Sequence, residues 1–433
     1  MGDRFSVGVV ANFLGAGLSG IFLLGANIYL ANHLGAERYG YFVLCQLVAM
    51  LAYSFVTLGW QAATINLVSN KSVGVLEASL YTLVHSAVFG VLCLPAVWLL
   101  ARLIVPSALG NDRWLILGLA VALVFCKNQV GVTLGRSLFR LATIVSLVKF
   151  SFLFVLILAA KHAGRLSPQS ALVLFAVVEV FECVIHFAFN VTCRHPAIVG
   201  FQRFTRLAFS YGVRAQLANL TSMLNYRADI IIINLFHGPQ MVAYYKVAVD
   251  LAEKMWIIPM SIGKTIFSKS TMMGKGREVV AQATKALQLS FYSTVLIAGG
   301  GVLTASILFH LLYKEEYHAG IPCFRLLAIG ILAGSIVKII SNYISALGRP
   351  EINSLHTGIS LVVNIAVNLL LIPSFGAIGA AVGTSVAYLV LSLVKLNSTK
   401  RYLGGVLGPW WIPPDLQKIR LRLSNALFGL VRK

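Results

Sequence analysis

The chain has 433 residues, of which 58% are apolar and only 11% charged. A soluble domain carries about a quarter charged residues, so this composition excludes a soluble globular protein and makes lipid the solvent of most side chains. Its net charge of +21, from 35 Lys+Arg against 14 Asp+Glu, then points away from nucleic acid and towards membrane topology, anionic lipid or an anionic substrate.

In chain order, apolar stretches of about 20 residues, the length a spanning helix needs, predict helices over residues 8–31, 40–60, 79–104, 114–134, 141–160, 169–190, 213–236, 240–263, 287–311, 322–346, 353–373 and 377–396. The first run is too long for a signal-peptide core and lacks a small-residue cleavage site, so it is expected to be a retained span. The connections are short and leave no room for a soluble domain between spans. Six cysteines, Cys45, Cys93, Cys126, Cys183, Cys193 and Cys323, are scattered through apolar runs without a CxxC pair, as small buried hydrophobes and not as a disulfide frame or metal site.

With the amino terminus inside, most Lys and Arg residues, Lys127 among them, fall on inner segments and on the tail that includes Lys395. The outer side receives only Arg38, Arg102, Arg113, Lys161, Arg165, Lys314 and Arg325. This asymmetry places both termini on the cytoplasmic side. The turn around Gly35 and Tyr41 matches the one around Gly238 and Tyr244 at a constant offset, and Leu134-Gly-Arg-Ser137 answers Leu347-Gly-Arg-Pro350. These matches suggest two six-span repeats, over 1–200 and 201–400, related by an axis along the membrane normal. Transporters built this way hold substrate near the midplane between the halves. Residues 401–433 begin a different composition. After Gly408-Pro-Trp-Trp-Ile-Pro-Pro414, the positions Leu416, Ile419, Leu423, Leu427 and Leu430 recur at helical spacing among basic residues, the pattern of an amphipathic helix lying on membrane lipids.

Several stretches resemble the Wzx-like polysaccharide and O-antigen flippases of the multidrug/oligosaccharidyl-lipid/polysaccharide exporter superfamily: Asn368-Leu-Leu-Leu-Ile-Pro-Ser-Phe-Gly-Ala-Ile-Gly-Ala-Ala-Val-Gly-Thr-Ser385, Ala346-Leu-Gly-Arg-Pro350, Leu34-Gly-Ala-Glu-Arg-Tyr-Gly40, and Asp229 followed by the Gly238…Tyr244 turn. The resemblance covers about residues 5–396 and implies an all-α, MATE-like fold of about twelve transmembrane helices in two six-helix bundles. It also implies an undecaprenyl-pyrophosphate-linked oligosaccharide as cargo in a bacterial inner membrane, and a polysaccharide polymerase and chain-length machinery as partners. In physical terms, Gly376, Gly379 and Gly383 permit close helix approach. Pro373 is expected to end a helix, and Pro259 to bend the eighth span.

Ionisable groups within spans are costly and usually face a partner or water. They gather in a few helices: Lys149 in the fifth; Glu179, Glu182 and His186 in the sixth; Arg227 and Asp229 in the seventh; Lys246, Asp250, Glu253 and Lys254 in the eighth; Lys338 in the tenth. Lys246, Asp250 and Lys254 share one helical face, which lines a polar cavity or packs in an ion-pair network. Arg227 and Asp229, two residues apart, point in different directions. Lys149, Arg227, Lys246, Lys254 and Lys338 are the candidate substrate-binding cations, with Arg227 suited to a phosphate. Glu179, Glu182, His186, Asp229 and Asp250 are candidate ion-coupling groups. For the first three, a structural polar face is the competing interpretation. A metal site is disfavoured because one helix alone supplies the ligands, and no cofactor is expected.

The function expected is therefore a flippase working by alternating access and catalysing no chemistry. The alternatives are a drug/cation antiporter, which would want a cavity dominated by carboxylates, and a membrane-embedded polysaccharide polymerase, for which the chain lacks a sizeable loop and a nucleophile–base pair.

Overall fold

The computed structural model describes residues 2–108, 110–193, 199–273 and 277–402. They form α1 (Gly2–Leu34), α2 (Ala36–Val56), α3 (Trp60–Ser69), α4 (Val75–Ile104), α5 (Asn111–Gly135), α6 (Phe139–His162), α7 (Pro168–Val191), α8 (Phe201–Lys254), α9 (Ile257–Met273), α10 (Arg277–Leu312), a short 3₁₀ turn (Glu315–Gly320), α11 (Ile321–Ala346) and α12 (Pro350–Tyr402). The described chain has no strand, and nine of its helices are long and apolar enough to cross a membrane by length and composition. The basic tail expected as an amphipathic helix lies outside the described residues.

The protein is a multi-pass membrane protein. Its outward faces carry large apolar side chains that water would not tolerate: Leu296, Leu303 and Leu311 on α10 are 78%, 83% and 76% exposed, and Leu370 on α12 is 76% exposed. The helices α2, α5 and α11 are mostly buried, whereas α1, α6 and α10 turn most of their surface outward. Packing follows from that difference. α1 lies on α6; α5 lies on α4 and α7; α2 sits against α4, α5 and α7; α11 sits among α8, α9, α10 and α12.

Two helices are hairpins in all but name. In α8 the backbone leaves helical geometry at Gly238 (φ 77°, ψ −176°), a φ that favours glycine. The chain folds back there, so Tyr245 reaches Asp229 and Glu253 reaches Arg227. Gly35, at the start of α2, adopts nearly the same conformation (φ 79°, ψ 161°), in keeping with the matched turns. The second sequence match is out of register. The turn after α11 takes its positive φ at Gly348 (75°), but the corresponding hydrogen-bonded turn after α5 takes it at Ser137 (60°), two residues beyond Gly135.

In α12 the break comes at Gly376 (φ 54°, ψ −131°). Pro373 does not end a helix as expected; it sits one turn before the break, inside the helix. The two limbs then run back on each other so closely that a Cβ at Gly379 would lie 2.6 Å from Leu371 O, and one at Gly383 would collide with Asn368. The eighth expected span is likewise broken, not bent at Pro259. α8 ends at Lys254, Met255 and Trp256 form a turn, and Pro259 lies in the first turn of α9, where a missing N–H costs nothing because those N–H groups have no helical partner.

Contacts between the first seven helices and the later ones are concentrated at two ends. At the Gly35 end, Gly40 of α2 touches Pro239 so closely that no side chain would fit. Asn32 receives Lys314 N–H (2.9 Å) and donates to Leu312 O (2.8 Å), Tyr317 donates to Ala31 O (2.8 Å), and Ala36 N–H donates to Glu316 (3.2 Å). At the opposite end, Gly59 (φ 71°) abuts Gly212 of α8, and Gln216 donates to Ser54 O. Beside them, His85 is stacked between Trp60 (4.1 Å) and Phe201 (4.9 Å), which fastens the start of α8 to α3 and α4.

Candidate functional site

The intramembrane charges separate into two groups. The first belongs to α5, α6 and α7. Glu179 and Glu182 stand one turn apart on α7, so both carboxylates meet the same neighbours. Lys149 of α6, only 3% exposed, donates to Glu179 at 2.5 Å and Glu182 at 2.7 Å. Lys127 of α5 reaches the same pair at 3.2 and 3.7 Å. Cys126 donates to Glu182 (3.1 Å). His186 continues the same face, with Nδ1 at 3.0 Å from the Thr133 hydroxyl and Nε2 at 3.9 Å from Glu182. Asn190, Gln129 and Arg136 extend the network by one further turn. Cys126, Glu179 and Glu182 lie close enough to share an ion, but two ammonium groups already occupy these carboxylates. That donor set does not suit a metal.

The second group lies around the α8 hairpin. Lys246 and Asp250 pair across one turn of its second limb, and Asp250 also accepts from Asn27 of α1 (3.2 Å). This is a direct polar contact between the early and late helices. Arg227 on the first limb pairs with Glu253 at 3.5 Å and not with Asp229, as the two-residue spacing required. Lys338 of α11 donates to Tyr226 Oη (2.9 Å) and lies over the rings of Trp256 (4.4 Å) and Tyr226 (5.1 Å). Lys254 makes no ion pair among the described residues, and its ammonium approaches Gly20 of α1. Asp229 is 3% exposed and accepts from Ile230 N–H (2.8 Å), Tyr245 (2.5 Å) and Thr384 (3.1 Å), with no cation in salt-bridge range among the described residues. A small pocket opens beside it, walled by Tyr226, Glu253, Trp256 and Tyr388.

The structure thus brings together Arg227, Lys246, Lys254, Lys338, Asp229 and Asp250, and keeps Lys149 apart with Glu179, Glu182 and His186. Two lysines escaped the sequence reading. Lys127, assigned to an inner segment, sits inside α5 on the carboxylate pair. Lys395, assigned to the tail, is 1% exposed and donates to Asn353 (2.6 Å) across the α12 hairpin. The signal was available: Val121–Cys126 before Lys127 and Leu389–Val394 before Lys395 are almost wholly apolar, so each lysine was already committed to the membrane.

Long apolar helices, two of them broken at glycines, packed around buried charges define a polytopic membrane protein of the oligosaccharidyl-lipid and multidrug exporter kind. Comparison with known proteins agrees. Residues 29–322 match the family described as polysaccharide biosynthesis protein, and the chain belongs to that family. It is 25% identical over 195 residues to a putative O-antigen transporter of Shigella flexneri, covering 45% of this chain and 46% of that protein. Its fold is that of the lipid II flippase MurJ in an inward closed conformation (TM-score 0.75, 13% identity, 90% of this chain and 87% of that one). It is also that of an inward-facing MATE multidrug transporter (TM-score 0.68, 13% identity, 92% and 98%). The chain spans only 41 to 52% of the length of three curated relatives that it matches.

Proposed function

We propose that the protein is a flippase for an anionic, lipid-linked oligosaccharide, with undecaprenyl pyrophosphate as the carrier, acting in a bacterial inner membrane for surface-polysaccharide synthesis. Residues 1–200 and 201–400 are its two rocking units, and both termini are cytoplasmic, so the Gly59 end faces the cytoplasm. The saccharide head enters between the units while the prenyl tail stays in lipid, and the units rock to release it on the outer side. No bond is made or broken. A polysaccharide polymerase and chain-length machinery are the partners that receive the cargo. The archaeal origin of some relatives makes the bacterial membrane and this particular carrier the finer part of the proposal.

One observation carries the choice of cargo. Around the α8 hairpin, Asp250 and Glu253 are each paired with a cation, while Lys254 and Lys338 have no carboxylate partner among the described residues. The site therefore offers uncommitted positive charge, which favours a pyrophosphate or acidic sugar over the cationic drug of an antiporter. Asp229, the carboxylate left without a cation, is the group we assign to ion coupling in this unit.

The test is reconstitution in proteoliposomes with a fluorescent prenyl-pyrophosphate saccharide. Wild type should move the label between leaflets, and Arg227→Ala and Lys338→Ala should each slow transfer at least about tenfold, the loss of one charge-assisted contact. Wild-type rates in both variants would refute the cationic site. In cells, loss of the protein should leave complete lipid-linked repeat units on the inner face, whereas loss of a polymerase would leave single exported units.

A further inference from the structure

The carboxylate pair of α7 is held by two lysines in unequal ways. Lys149 is fully enclosed and makes the two short bonds, at 2.5 and 2.7 Å. Lys127 makes the two long ones, at 3.2 and 3.7 Å, and its side chain is 30% exposed. That exposure does not open on lipid. After Trp114, α5 presents no strongly exposed large apolar side chain, and it is surrounded by α2, α3, α4 and α7. Lys127 therefore looks into the interior of the bundle.

Next to the pair stands a buried imidazole. The Thr133 hydroxyl lies 3.0 Å from His186 Nδ1, 3.2 Å from Asn190 Oδ1 and 3.4 Å from Gln129 O. His186 Nε2 is buried, has no hydrogen-bond partner among the described residues, and faces Glu182 Oε1 at 3.9 Å. Whichever ring nitrogen carries the proton, Nε2 is an unsatisfied polar atom on the edge of the carboxylate pair.

We propose that Lys127 is an exchangeable cation: it leaves Glu179 and Glu182 to bind the diphosphate of the lipid-linked head, and the carboxylate pair takes up a proton in its place. This inference rests on the flippase reading above. Charge balances at each stage. With both lysines in place, two positive charges face two negative ones. When Lys127 departs as an ammonium ion, Lys149 still neutralises one carboxylate. The other receives a proton from the aqueous phase. When the diphosphate leaves, Lys127 returns and the proton is released. Two buried carboxylates sharing the single charge of Lys149 would otherwise leave one negative charge uncompensated, which is strongly disfavoured. Anion binding and proton uptake are therefore linked. The groups facing the pair are Lys127 and Cys126 from α5, Lys149 from α6 and His186 from α7, with Tyr53 of α2 beyond Lys127. None of the others is both charged and accessible.

The experiment is calorimetric titration of the purified full-length protein in detergent with geranylgeranyl diphosphate, near neutral pH, in two buffers of different ionisation enthalpy. Wild type should take up about one proton per ligand bound. Lys127→Gln should bind roughly tenfold or more weakly and take up none, and Lys127→Arg should restore both. Glu182→Gln removes the competing carboxylate, so it should bind more tightly than wild type and without proton uptake. It also decides the matter if Lys127→Gln fails to fold. Unchanged affinity in Lys127→Gln, proton-neutral binding by wild type, or weaker binding in Glu182→Gln would each overturn the exchange while leaving the flippase reading intact. A wild-type protein that does not bind the diphosphate at all would overturn both.

Discussion

At the residue scale, the two lysines of the first charge group should behave differently although they share their partners. Lys149 is enclosed, and its removal strands two carboxylates with one distant cation. Breaking a buried pair by deleting one member costs about 3–5 kcal/mol, so Lys149→Ala is expected to lower the thermal unfolding midpoint in detergent markedly. Lys127→Ala, at a partly open position, should lower it much less, and equal losses would contradict the asymmetry in their bonding. In the second group, Asp229→Asn keeps shape and hydrogen-bonding capacity at Tyr245 and Thr384 but removes the charge. Transport by that variant is expected to lose its stimulation by an imposed proton or sodium gradient while the protein remains folded. Stimulation equal to wild type would remove Asp229 from coupling. The sequence identified Asp229 and Lys149 as charges in expensive places. It could not pair them, because each partner lies on another helix or across a hairpin.

At the element scale, the positions that matter most are glycines at contacts between early and late helices. Gly40 rests against Pro239 and Gly59 against Gly212, so each contact joins an early helix to a late one at one end of the bundle. A methyl group at Gly40 should hold the Gly35 end apart, and one at Gly212 the opposite end. The expected result is a reciprocal shift. Single-cysteine reporters near Asp250 should react faster with a membrane-impermeant thiol reagent from the Gly35 side in Gly40→Ala and from the Gly59 side in Gly212→Ala. Identical labelling patterns in the two variants would show that these contacts do not gate access. The turn glycines Gly35 and Gly238 were legible in the sequence because a reversal between two apolar runs needs a positive φ. The interhelical glycines were not, since a glycine inside an apolar run reads the same whether it meets lipid or another backbone. Proline was a poorer guide: Pro259 and Pro373 both lie near breaks, but glycine or a short turn makes the break.

At the scale of the whole molecule, lipid is the solvent, and the outer surface should respond accordingly. Leu303 sits on the exposed face of α10 near the middle of its span. Leu303→Arg is expected to cost about 3–4 kcal/mol on membrane insertion and to reduce the amount of protein recovered in membranes. Arginine at a loop position such as Asn70 should have no such effect. The latch at the Gly35 end is a second global feature. Asn32 joins α1 to the segment after α10 through two backbone groups, and Asn32→Ala should raise accessibility from that side without lowering membrane recovery.

Composition by itself determined the solvent, the helical class and the expectation of an unusual set of buried charges, because bilayer thickness and the cost of a charge in hydrocarbon constrain every segment locally. Motif resemblance added the family. Which charges meet was decided only by tertiary structure. Lys127 and Lys149 converge on one carboxylate pair, Arg227 chooses Glu253 over Asp229, and Lys395 crosses a hairpin to Asn353. The reason is physical: hydrophobicity is a property of each stretch of chain, whereas an ion pair between helices depends on how separate stretches are packed together.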